Sequence, residues 1–177
     1  LQAAHPAALA GVAEHSRYEI DPLGRLAGTT EWLTITSFGA TEVIEKEARR
    51  VNEMHSKVVG DYQGKDGKSH NYAAQDPEYL MWVHCAFTDA FLQTYIQLDY
   101  KFKTSADQYV REWAKSAAPL GLSDAPKSVA ELNAKLDYYR ANALKSDPRT
   151  FSVVGFILKP PFSKLGLIPF RIFANAA

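Results

Sequence analysis

The sequence predicts an all-α fold. Three observations carry that expectation. Apolar side chains recur at alternating spacings of three and four along most of the chain, which is the period of an α-helix. Helix start and stop signals stand at the ends of those stretches. No period-two alternation with hairpin turns is read, and there is no repeat or low-complexity segment. At 177 residues the chain is long enough for one domain with a real core, and a single domain over 1–177 is expected.

The elements follow in order. Pro6 suits the first turn of a helix. Ala7, Ala8, Leu9, Ala10, Val12 and Ala13 continue it as a small-residue helix, loosened at Gly11. Residues 21–30, DPLGRLAGTT, read as a loop, with Asp21-Pro22, Gly24 and Gly28 as breaks. Trp32, Leu33, Ile35 and Phe38 mark a helix over 31–39. Thr41 is placed to cap the next helix, which runs to about Val59 and ends at Gly60. Residues 61–75 are polar and glycine-rich and read as a surface loop closing on Tyr72, with His70 solvated.

Asp76-Pro77 is a helix start with an N-cap and a proline at the first position. That helix extends to about Tyr100. Its expected inner stripe is Leu80, His84, Phe87, Phe91, Tyr95 and Leu98. Ser105 to about Ala117 is amphipathic through Tyr109 and Trp113. Residues 118–127, with two prolines, are a loop. Ser128 and Glu131 form a capping box before a helix with Leu132, Leu136, Tyr139 and Ala143 on one side. The run FSVVGFIL (151–158) is expected as helix, ended by Pro160-Pro161.

The helix before Gly60 carries a histidine on its apolar stripe. Ile44, Ala48, Val51, His55 and Val58 share one face, and charged side chains fill the others. An imidazole there needs a partner, because an unpaired buried polar group is unfavourable. Two readings meet that need: a core histidine bonded to another group, or a ligand to a metal or heme iron. Arg25 and Thr29, four residues apart, offer a guanidinium and a hydroxyl to a small polar ligand. By spacing alone the plainer reading prevails: Arg25 makes a surface ion pair and Thr29 or Thr30 caps the helix that follows.

Composition excludes several classes. Twenty basic residues balance twenty acidic ones, so no global field draws nucleic acid or anionic lipid. One cysteine, Cys85, rules out an internal disulfide, a multi-cysteine metal site and covalent c-type heme. No apolar run is long enough to cross a membrane, and no cleavable signal is read. HExxH, Glu-x-x-His, GxGxxG, phosphate-loop and GxSxG motifs are absent. The start at Leu1 and the apolar phrases at both ends, LQAAHPAALAGV and LIPFRIFANAA, suggest that natural termini are missing. What remains is a helical domain with two inward histidines, His55 and His84, and a segment presenting Arg25 and Thr29. A flat cofactor held by one axial histidine between helices fits such a set.

The order of phrases resembles the MpaB/rubber oxygenase (latex-clearing protein) catalytic-domain family. AHPAALAGVAEHS (4–16), DPLGRLAGTT (21–30), Phe38-Gly39, RRVNEMHSKVVG (49–60), YAAQDPEYLMWVHCAFTDAFL (72–92) and REW (111–113) stand in family order at family-like spacing. They cover most of residues 3–120; the C-terminal third matches loosely. The resemblance implies an all-α bundle enclosing one non-covalent heme b. It implies that His55, through Nε2, is the proximal iron ligand. Arg25 and Thr29 match an arginine and a threonine of the heme pocket, which makes them candidate catalytic as well as cofactor-binding residues. Some rubber oxygenases carry a lysine just before that threonine. Gly28 stands there in this chain, which leaves the distal iron position open or differently filled. His84 is expected either to touch the heme or to be a buried, hydrogen-bonded histidine. His5 and His15 lie in family-like phrases without an assigned role.

The resulting expectation is a heme-dependent oxygenase using O₂ to cleave a carbon–carbon double bond in an apolar, isoprenoid-like substrate. Two other readings remain: a silent helical accessory subunit of a larger assembly, and a heme-binding sensor or carrier. The apolar C-terminal phrase would suit a protein partner or a membrane surface, with a cytoplasmic or peripheral location.

Overall fold

The computed structural model describes residues 2–98, 104–146 and 148–159, to which all that follows refers. Its helices are α1 (Pro6–His15), α2 (Pro22–Phe38), α3 (Thr41–His55), α4 (Pro77–Gln97), α5 (Ala106–Trp113), α6 (Val129–Asn142) and α7 (Pro148–Leu158). An antiparallel pair of strands, β1 (Val59–Gln63) and β2 (Ser69–Ala73), stands between α3 and α4. The fold is therefore mainly α, with one β-hairpin that the sequence reading took for a loop. Pro160-Pro161 and the LIPFRIFANAA phrase lie outside the described residues.

The start signals act where they were read except at Thr41, which is the first residue of α3 and not its cap; the N-cap is Ala40, with no side-chain cap bond. Asp76 accepts from the Glu78 N–H at 2.9 Å, and Pro77 opens α4. Ser105 caps α5 through the Gln108 N–H at 3.1 Å. Ser128 accepts from the Glu131 N–H at 3.2 Å, while the Glu131 carboxylate reaches the Lys127 N–H at 2.7 Å. The capping box is thus shifted by one residue on its return side.

Two segments differ from expectation. Residues 22–38 are one continuous helix, not a loop followed by a helix. Asp21 caps it by accepting from the Gly24 N–H at 2.9 Å, so Asp21-Pro22 acts as Asp76-Pro77 does. Thr29 and Thr30 do not cap anything; they sit inside α2 and donate back to the carbonyls of Arg25 and Leu26. Likewise α3 stops at His55 rather than at Val59, and Gly60 is a strand residue. Gly60 serves close approach: a Cβ there would lie 2.9 Å from the Tyr72 hydroxyl and 3.0 Å from Glu14. The hairpin turns through Lys65-Asp66-Gly67-Lys68, where Gly67 takes φ +77° and Asp66 accepts from the Lys68 N–H. His70 is paired with Asp66 at 3.0 Å rather than simply solvated.

The main core joins α4, α5 and α6. Trp82 and Cys85 of α4, Val110 of α5, and Leu132, Leu136 and Tyr139 of α6 are its centre. The Trp82 indole N–H donates to the Gln2 carbonyl at 3.1 Å, and the Tyr139 hydroxyl to the Glu78 carbonyl at 2.9 Å, so both large rings are buried with their polar atoms satisfied. The small residues of α1 admit the hairpin on one side and the helical core on another: Ala7 and Ala10 pack with Tyr72, and Ala8 packs against the main core. At the hairpin tip, Lys65 donates to the carbonyls of Arg140 and Ala141 at 2.9 and 2.7 Å. A cation there complements the C-terminal end of α6.

The expected inner stripe of α4 is only partly inner. Its core face is Met81, Trp82, Cys85 and Leu92, whereas Phe91, Tyr95 and Leu98 are more than a third exposed. A helix apolar on nearly every side gives periodicity little to choose between.

Candidate functional site

The sequence-predicted residues Arg25, Thr29 and His55 come together at the open end of a helical hairpin. Only Gly39 and Ala40 separate α2 from α3, so the two helices pack side by side and the start of α2 meets the end of α3. Arg25 and Thr29 are one turn apart on α2 and share a face. The Arg25 guanidinium donates to the Thr29 hydroxyl, which donates on to the Arg25 carbonyl at 3.3 Å. Thr29 thereby fixes the arginine head, and helix geometry does what a loop would do less rigidly. Arg25 forms no ion pair with a carboxylate among the described residues.

His55 is the last residue of α3 and is half-buried. Its Nδ1 is sealed from solvent and has no hydrogen-bond partner among the described residues. Burial lowers its pKa, and the positive charge of Arg25 lowers it further. Both effects favour the neutral imidazole, the form that can offer a lone pair to a metal.

One residue of this face escaped the sequence reading. Glu47 precedes His55 by two turns on the same stripe, through Val51, and is buried. Arg50 holds it with two charge-assisted bonds, Nε to Oε2 at 2.8 Å and Nη2 to Oε1 at 2.5 Å. The Arg50 hydrogen bonds hold the Glu47 carboxyl below the usual carboxylate range, against its burial. Glu31 of α2 also acts on Arg50, so the arginine ties the two helices electrostatically. The spacing of four from Glu47 to Val51 to His55 was the available signal.

Beyond the hairpin, the far side of α2 is open. Leu23, Leu26 and Phe38 are 59%, 60% and 87% exposed. Leu23, Leu26, Ala27, Thr30, Thr34 and Ile35 line a shallow depression of about 560 Å³. These residues lie about half a helix turn round from Arg25 and Thr29, so the depression is not the space between Arg25 and His55.

A family model described as ER-bound oxygenase mpaB/B′/rubber oxygenase, catalytic domain, matches residues 1–176. The chain belongs to this MpaB/rubber oxygenase family. The match runs past residue 120, where the quoted phrases end, and takes in α6 and α7. No curated protein and no solved structure matches the chain. Family membership makes oxygenase chemistry on a small molecule with O₂ the general setting for the residues above. No helix of the described residues is long and apolar enough to cross a membrane.

His84, the other histidine expected near the site, is placed apart. It sits on α4, buried, and shares no hydrogen bond or ring contact with His55, Arg25 or Thr29 among the described residues. It is buried as expected but its Nε2 is not hydrogen-bonded. His5 acquires a structural role: its Nδ1 accepts from the Ala7 N–H at 3.2 Å and caps α1. His15 lies 3.1 Å from the Val59 carbonyl through Nε2.

The Arg25–His55 coupling is directly measurable. Arg25→Ala should raise the His55 pKa, because it removes a cation that disfavours the imidazolium. An NMR titration of the His55 ring in the purified protein should show the curve move to higher pH; an unmoved or lowered midpoint contradicts the coupling.

Proposed function

We propose that this protein is a heme b-dependent oxygenase acting on an apolar, unsaturated substrate, with His55 as the proximal ligand to the iron. The observation that carries the reading is the placement of His55: a half-buried, neutral-favouring imidazole at the end of α3, beside Arg25, which forms no carboxylate ion pair among the described residues. The residues present fit the group. Among the described residues no three His, Cys, Asp or Glu side chains converge as a cage for a bare metal ion. A heme iron, whose porphyrin supplies the equatorial donors, asks for one imidazole.

In this reading His55 holds the iron through one ring nitrogen, expected as Nε2. Arg25, which has no carboxylate partner among the described residues, would be the counter-charge for a heme propionate. Thr29 positions that guanidinium through its hydroxyl. Heme supplies activation of O₂ for oxidative cleavage of a carbon–carbon double bond. With Gly28 adjoining Thr29, no cationic side chain stands at that point of α2, and a Cβ there would meet nothing within 4 Å. The protein's part is then ligation, orientation and exclusion of water.

Titration of the purified protein with hemin tests the reading. A saturable Soret band at one heme per chain is expected, and a pentacoordinate or oxygen-bound spectrum supports the oxygenase. A six-coordinate low-spin spectrum would instead favour the sensor or carrier. Absence of any band would favour the accessory subunit and overturn the proposal.

A further inference from the structure

His84 begins a strip of α4 that runs from a sealed interior to open solvent. His84, Phe87, Thr88, Phe91 and Tyr95 recur at three and four residues and lie on one side of the helix. At the inner end His84 is 9% exposed, and Thr88 is more deeply buried still. The Thr88 hydroxyl donates to the His84 carbonyl at 2.7 Å, so this neighbouring donor is committed to the backbone. The His84 Nε2 is buried and has no hydrogen-bond partner among the described residues. Outward, the Phe87 and Phe91 rings stack at 5.7 Å, and Phe91 meets Trp113 of α5 edge-on at 5.5 Å. Trp113 in turn stacks on Tyr109 at 6.1 Å. At the outer end Phe91 is 38% exposed.

We propose that this strip binds an elongated neutral molecule, its apolar chain against Phe87, Phe91 and Trp113 and its hydroxyl or carbonyl end hydrogen-bonded to His84 Nε2. A buried polar nitrogen in a native structure calls for a partner, and the aromatic strip beside it is suited to a chain. The end group is neutral because burial alone pushes the His84 pKa down to about 4, and no charged side chain contributes to that shift. A neutral imidazole donates to or accepts from a hydroxyl but does not balance a carboxylate. From His84 to Phe91 the helix rises about 10 Å, a length comparable to decanol. The binding needs neither iron nor heme.

Decanol, decene and decanoate are titrated into the purified protein at pH 7, followed by tryptophan fluorescence and by the His84 ring resonances. Decanol should bind about tenfold more tightly than decene, the worth of one hydrogen bond of ordinary to good strength, and more tightly than decanoate. It should also shift the His84 resonances. His84→Leu should bring decanol down to decene's affinity and leave decene unchanged. Phe91→Ser should weaken both. His55→Ala should keep decanol binding, which separates this site from the heme reading. Equal affinity of decanol and decene for the wild-type protein, no binding at all, or an unmoved His84 resonance under saturating decanol would overturn the proposal. Should His84→Leu fail to fold, the resonance shift and the decanol-to-decene ratio in the wild-type protein decide the matter.

Discussion

On the proposed ligation, His55→Ala should give a folded protein that does not hold heme. The fold does not lean on this imidazole: Nδ1 has no hydrogen-bond partner among the described residues, and the stripe residues that pack are Ala48 and Val51. Removing an unpaired buried polar atom also removes an unfavourable term, so the melting temperature of the heme-free variant should stay close to that of the parent. Heme affinity should respond far more. Loss of residues that merely orient a metal ligand weakens binding about 10–100-fold, and loss of the proximal ligand itself should exceed that. The Soret band of the parent should therefore disappear at matched hemin concentration. Imidazole added to the variant should restore part of it by entering the vacated space. A variant that keeps the parent's full Soret band, unshifted, would show that the iron is held elsewhere. Thr29→Val is a useful contrast, because it frees the Arg25 head without touching the ligand and should weaken heme binding by a smaller factor.

This test bears on a site that was only partly legible from the residues. The face of α3 was readable, because Ala48, Val51 and His55 follow one helical period and the charges other than Glu47 lie off that face. The conformation around Arg25 and Thr29 was not. Asp21-Pro22 followed by two glycines looks like a turn, yet the same Asp-Pro pair at 76–77 was read as a helix start. Gly24 hid the equivalence: its N–H is the group Asp21 caps. The hairpin was missed for a related reason. Its strands bury little beyond Tyr72, so the alternation that marks a strand is carried by few apolar side chains. The Asp66-Gly67 pair was the readable turn signal. In α4 the start was read correctly and the orientation was not, because apolar residues on nearly every side left two candidate inner faces. The Glu47–Arg50 pair was masked by the general expectation that charges lie outside.

Acid should destabilise this protein between pH 6.5 and pH 4, before most carboxylates protonate. His5 is 2% exposed and is ringed by Tyr62, Tyr79, Trp82 and Tyr139 at centroid distances of 5.4–6.4 Å. Burial alone pushes its pKa from 6.5 down to about 4, with no charged group contributing. Burial raises the pKa values of the Tyr79 and Tyr139 phenols, so both stay neutral throughout this range. Its Nδ1 already accepts from the Ala7 N–H, so a proton placed there would turn the α1 cap into a clash of two donors. His84 is likewise held down to about 4 by burial. An unfolded histidine takes its proton near pH 6.5, whereas these two take it only near pH 4 when folded. Between those values the unfolded chain holds more protons, so stability falls as pH falls. The contribution is complete above pH 6.5 and exhausted near pH 4. Each histidine contributes on the order of 3 kcal/mol across the window, as an upper figure. Urea unfolding at half-unit steps of pH should show a slope approaching two protons near pH 5, with a smaller share from half-buried His55. His5→Asn keeps a capping side chain and removes the titration, so its slope should fall by one proton. His84→Leu should remove another. A stability curve flat from pH 7 to pH 4.5, or a His5→Asn slope equal to that of the parent, would show that the His5 ring is protonated in the folded protein and that the aromatic enclosure stabilises the cation instead of excluding it.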